Sequence, residues 1–357
     1  MSRQSGQVWA TLVQAGLVQG PAPATENLES PWYVKALLAF SGWLAAVFML
    51  GFISMGLGFV LDSSLASFIT GGLMIGGAFG ILRLPGNEFV EHLALATSLA
   101  GQVLVLFALY NTTAPDGQIF WLLATLLETA LVIVMPNFVH RAFSSFFAAV
   151  FLFKALQSTG APAAISAIVM FPAAWLWLNE FRYPRQMRKI RATGYGLVLA
   201  LISLKTTLLF GLGTSGWGLS RAQPGIWLQP WMGEALAGLV TLYVVWQLLQ
   251  RQGKAVSSRL AITALAGTLL LCAVSMEARG ITIGMTIMLL GFAGSNRVLL
   301  GLGIVSLLFY ISSYYYLLDT TLLVKSWTLL IVGVALFALR WSMLRIMPGE
   351  REATDVR

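Results

Sequence analysis

Apolar runs separated by short polar breaks recur from Ala36 to Trp341, and twelve of them read as helical spans. They cover residues 36–61, 64–82, 93–111, 119–137, 142–156, 161–179, 194–214, 232–250, 260–276, 281–294, 298–317 and 321–341. In lipid only helices and closed barrels satisfy their own backbone polar groups. These runs lack the period-2 alternation of barrel strands. The pattern therefore predicts an all-α fold, a polytopic bundle of transmembrane helices. Runs 142–156 and 281–294 are the weak ones. The second reaches only about 21 Å against a bilayer core of about 30 Å, so it reads as a re-entrant segment or a helix cut short. The expected count is about twelve, within a range of ten to twelve.

Three regions follow from the same pattern. Residues 1–35 place Trp9, Leu12, Val13, Gly16 and Leu17 at helical spacing, then a polar linker bracketed by Pro21, Pro23 and Pro31. This reads as a short amphipathic helix lying on the cytoplasmic face, or as a docking element for a partner. Residues 36–341 form the helix bundle, and 342–357 a cytoplasmic tail.

Charge sets the orientation. With the N-terminus inside, 17 of the 22 basic residues fall in inward loops and tails, among them Arg83, Arg141, Arg251, Arg297 and the dense run Arg182–Arg191. Only Arg221 and Arg279 fall in outer loops. An excess of Lys and Arg marks cytoplasmic loops, so both termini are expected inside. Trp121, Trp217, Trp227, Trp231 and Trp327 stand at outer span ends and Trp32, Trp175, Trp177 and Trp341 at inner ends, where amphipathic rings meet headgroups.

Composition agrees. The 357 residues are 58% hydrophobic and 10% charged, against about 25% charged in soluble domains. The net charge of +8 sits in loops, where it fits anionic headgroups and argues against nucleic acid as a partner. The single cysteine, Cys272, permits no internal disulfide.

Few residues carry candidate chemistry. Glu128 lies near the middle of the fourth span and Lys205 near the middle of the seventh. A charge at that depth costs roughly 2.5–3.5 kcal/mol on insertion scales and faces the bundle interior. The two read either as a buried ion pair that fixes packing, or as a proton, ion or substrate site. The low number of intramembrane charges favours the first. Lys154, Glu234, Glu277, Arg279, Asp319 and Lys325 gather near the outer surface, where solvated loop charges and snorkelling lysines explain them and an outward polar pocket is the minority reading. Gly72, Gly76 and Gly80 repeat the small-residue spacing that lets a second helix approach closely, a contact expected inside the bundle. His92 and His140 stand at loop ends and make no metal-ligand set. There is no nucleotide-binding loop. No cofactor, metal or catalytic residue is expected, and the chain is not expected to be an enzyme.

Several stretches resemble a known family. They are Trp9 with Gly16-Leu17, then Ser30-Pro31-Trp32-Tyr33-Val34 and Gly42-Trp43-Leu44. With them go His92-Leu93-Ala94-Leu95-Ala96, Ser98-Leu99-Ala100-Gly101-Gln102 and, near the end, Leu322-Leu323-Val324-Lys325-Ser326. Together they resemble the bacterial inner-membrane family labelled domain of unknown function 4401. The resemblance implies a multi-helix fold in the bacterial cytoplasmic membrane, with no established activity and no catalytic residues to carry over. It also implies a membrane-anchored protein partner of a family with a G-D-Y-x-x-L-x-Y signature. The functions expected are a non-enzymatic membrane component (scaffold, sensor or partner subunit) or, alternatively, a secondary transporter using Glu128 and Lys205.

Overall fold

Eleven helices of thirteen residues or more follow one another among the described residues, each at a run marked by the apolar pattern. They are α1 Trp32–Gly56, α2 Ser64–Ile81, α3 Glu88–Thr112, α4 Gln118–Val134, α5 Phe138–Ser158, α6 Ile165–Leu178, α7 Met187–Phe210, α8 Pro230–Arg251, α9 Arg259–Glu277, α10 Ile281–Ala293 and α11 Arg297–Leu317. The computed structural model describes residues 11–16, 32–56, 58–84, 88–113, 117–210, 228–251 and 258–317, with separate positions between 321 and 341. Described positions from Leu322 to Trp341 are helical too. No strand occurs among the described residues. Trp9 and the proline-containing linker lie outside them. Thr11–Gln14 is helical, and Gly16, at φ 67°, ends that turn in the left-handed region.

Six helical segments are long and apolar enough to cross a membrane: Ser64–Ile81, Val90–Thr112, Phe138–Ser158, Pro184–Phe210, Pro230–Arg251 and Arg297–Tyr316. The weak run 142–156 is thus a 21-residue helix. Its start was misplaced because Pro136 and Asn137 belong to a turn and not to the preceding span. Pro136 has no N–H to continue α4, and the Asn137 side chain accepts from the His140 backbone N–H at 3.1 Å, capping α5. The run 281–294 is indeed short, at 13 residues.

The main core is built from α5, α6, α7, α8, α10 and α11, with Phe153, Met170, Trp177, Leu201, Val244 and Ile287 at its centre. Apart from that core, α3 packs against α2 and against α1. Backbone meets backbone there: a Cβ on Gly71 would stand 2.6 Å from the Gly101 carbonyl oxygen, and one on Gly101 would stand 2.7 Å from that of Gly71. Outward positions are apolar as well. Met55, Leu73, Ile133 and Phe292 are all exposed, as a surface solvated by acyl chains requires. The polar groups are instead inside, where serine and threonine hydroxyls return to carbonyls one turn back, as Thr241 does to Ala237.

Candidate functional site: two buried polar centres

The first centre lies where α3, α4 and α5 meet. α4 presents Phe120, Ala124, Glu128 and Leu131 on one buried face, so the carboxyl of Glu128 is carried inward by the helical period. Glu128 stands eight residues before Pro136 and Ser144 eight after it. In an antiparallel hairpin turning at Pro136, equal counts bring the two to the same level. One turn earlier on α5 is His140, fully buried, with Nδ1 3.4 Å from Ser144 Oγ. Its other ring nitrogen, Nε2, lies 2.8 Å from Ser98 Oγ and 2.8 Å from Gln102 Nε2, both on α3. A chain of polar side chains therefore runs from Ser98 and Gln102 through His140 to Ser144. The far oxygen of Glu128, Oε2, has no hydrogen-bond partner among the described residues.

The tautomer follows from the neighbours. With the Gln102 amide nitrogen facing it, Nε2 accepts, so a neutral ring carries its proton on Nδ1 and donates to Ser144. Turning the amide over would present its oxygen and let Nε2 donate instead. Arg141, next along the chain, is buried as well, and its guanidinium donates to the Met135 carbonyl. A cation suits that place, because the unsatisfied carbonyls of the α4 C-terminus carry partial negative charge. Arg141 was expected to sit in a cytoplasmic loop. It is a buried cap.

The second centre joins α7 to α8. Lys205 Nζ donates to Glu234 Oε1 in a buried ion pair. Tyr310 of α11, also buried, donates to the Ile202 carbonyl at 3.3 Å. Its ring covers Gly280, where a Cβ would come within 2.8 Å. At φ 98° that glycine occupies a conformation that side chains rarely adopt.

The expected sites are thus redistributed. Lys205 and Glu128 do not meet: Lys205 belongs to Glu234, which was assigned to the outer surface cluster because it lies early in its span. Of the remaining outer group, Lys154 is half-buried and Arg279 exposed. The side chain of Glu277, and Asp319 and Lys325, lie outside the described residues. Gly72, Gly76 and Gly80 do not make the internal contact expected of them. All three are exposed, and a Cβ on any would find no atom within 4 Å among the described residues. Gly71, one residue away and on the opposite side, makes that contact.

His140, Ser144, Ser98 and Gln102 were missed. The signal was present as two pairs at i, i+4, Ser98/Gln102 and His140/Ser144, each a polar patch on one face of an otherwise apolar helix. No group of three or more His, Cys, Asp or Glu positioned to hold a metal occurs among the described residues.

Buried polar centres enclosed by apolar-faced helices define an all-helical protein of the membrane. Residues 31–346 match the model of the family described as Domain of unknown function (DUF4401), and the chain belongs to that family. No curated protein and no solved structure matches the chain.

Proposed function

We propose that the chain is a non-enzymatic component of an inner-membrane assembly, and that its contribution is the outward glycine face of α2. The observation that carries this reading is the contrast between the two sides of that helix. One side is closed on α3 through Gly71 and Gly101. The other carries Gly72, Gly76 and Gly80 with no atom of the described residues within 4 Å of where their Cβ atoms would stand. Of the six segments long enough to cross a membrane, α2 has the smallest buried share. Glycines at that spacing let another helix approach to backbone contact and gain dispersion along its length. The occupant that fits is a single membrane-spanning helix of an anchored partner protein. The accompanying topology is twelve crossings of a bacterial cytoplasmic membrane with both termini inside, supported by the basic inward loops.

A permease reading that uses Glu128 and Lys205 together has less support, because the Lys205 ammonium is already closed on Glu234. The test is the mass of the assembly extracted from native membranes into lipid nanodiscs. Wild type should exceed one chain by the mass of the partner. Gly76→Leu should run as one inserted, folded chain, and Gly301→Leu, at another open glycine, should behave as wild type. A wild-type mass equal to a single chain would overturn the proposal.

A further inference from the structure

We propose that the cavity between the ends of α6, α8 and α10 binds an anionic phospholipid, with an acyl chain in the cavity and the phosphate on Arg251. The site shares no residue with the glycine face of α2 and does not depend on it. The cavity measures about 180 Å³. Leu178, Leu248 and Leu290 wall it, with the Trp177 ring beside them. Trp177, Leu178 and Leu290 are buried, whereas Phe181 and Arg251 of the same lining are exposed. The cavity therefore runs from a mouth at Phe181 and Arg251 into the bundle. An enclosed apolar cavity of about 150 Å³ takes a benzene molecule. This one is larger and open at one end, which suits a flexible hydrocarbon chain.

Polar recognition is confined to the mouth. A Cβ on Gly194 of α7 would stand 2.8 Å from the Trp177 ring nitrogen, so that edge of the indole is turned to α7. Arg251 is the charged member of the lining, and it has no ion-pair partner among the described residues. A soluble metabolite is held by several placed polar groups. One guanidinium at the rim of an apolar cavity fits a ligand that is hydrocarbon at one end and anionic at the other, and a guanidinium matches phosphate with two parallel hydrogen bonds. The surrounding charge has the matching sign. Phe181 is followed by Arg182, with Arg185, Arg188 and Lys189 exposed beyond it. Arg297, also exposed, stands three residues after Gly294 of the lining. Glu180 lies behind Gly294, where a Cβ would stand 4.0 Å from its Oε2. It is fully buried, outside the lining, and its charge is answered by Arg191. Basic pockets of this kind between membrane helices hold phospholipid headgroups.

The test uses full-length protein, delipidated in a non-ionic detergent and titrated with phosphatidylglycerol, phosphatidylcholine or glycerol phosphate. Bound molecules are counted by native mass spectrometry. One phosphatidylglycerol should bind about tenfold more tightly than phosphatidylcholine of the same chains, and glycerol phosphate should not bind. Arg251→Gln should weaken phosphatidylglycerol about tenfold, the size of one lost hydrogen bond to a charged group. Arg188→Gln removes an equal charge outside the lining and should leave the affinity as in wild type. Ala293→Phe, at an exposed position of the wall, should fill the cavity and abolish binding while the lipid-free protein melts as wild type does. Equal affinity for the two lipids would overturn the proposal. So would equal losses in Arg251→Gln and Arg188→Gln, which would mean a diffuse basic surface, or tight binding of glycerol phosphate, which would mean a site for a soluble anion.

Discussion

Glu234 and Glu128 are both buried carboxylates, and each has one oxygen without a partner among the described residues. They differ in what holds the other oxygen. Glu234 faces an ammonium and its charge is answered on the spot. Glu128 has no ion-pair partner among the described residues. The first arrangement has one favourable charge state and resists change. The second has no charged partner to fix it. Burial alone therefore does not tell a braced carboxylate from an unbraced one; the partner does.

The largest effect should come from breaking the brace. Lys205→Met leaves Glu234 buried and unanswered and should cost roughly 3–5 kcal/mol of unfolding free energy in mixed micelles. Adding Glu234→Gln should restore most of that loss, because two neutral groups need no answering charge. Additive losses would place Glu234 in the same category as Glu128. A middle effect is expected at the histidine. His140→Ala takes the ring from Ser98, Gln102 and Ser144; Ser98 and Gln102, one turn apart, can bond each other, so one group is left unpaired, at a loss of roughly 1–3 kcal/mol. The smallest should be Glu128→Gln, an isosteric change that leaves no partner charge unanswered, at under about 1 kcal/mol in the same assay. If Glu128→Gln proved as costly as Lys205→Met, Glu128 would have a charged partner among the residues beyond those described, and the contrast would dissolve.

The helices were legible because apolar runs in a membrane chain have little freedom to be anything else. Glu128 and Lys205 were legible because charge at the centre of a span stands out against its surroundings. Their pairing was not. It depends on which helices are neighbours, and no property of a single span contains that. Lys205 was matched to the wrong carboxylate because depth was judged from each span by itself. Glu234, one turn into α8, meets Lys205 because Lys205 lies in the last turns of α7, close to the same end of the bundle. His140 was set aside as a loop residue because the fourth run was drawn through Pro136 and Asn137. Ending it at the proline moves His140 into the first turn of α5. The level match of Glu128 with Ser144 then follows by counting from the turn. The glycine stripe suggests an internal contact, but sequence spacing does not say which side of α2 packs on α3. Gly71 breaks the four-residue pattern and therefore passed unnoticed.

The shortness of α10 has a consequence of its own. Thirteen residues rise about 20 Å, and a helix that short touching lipid would force the bilayer to thin or the helix to be left stranded. α10 is not in that position. Thr282, Ile283, Gly284, Thr286, Ile287, Leu290 and Gly291 are buried, and α11 lies against Gly284 and Gly291 at backbone distance. Thr286 is tied to Thr241 of α8 at 2.8 Å. Along most of its length α10 is solvated by protein, so hydrophobic mismatch acts mainly on its neighbours. Their outer surfaces set the thickness the membrane must match, and α10 is free to be as short as its packing partners allow.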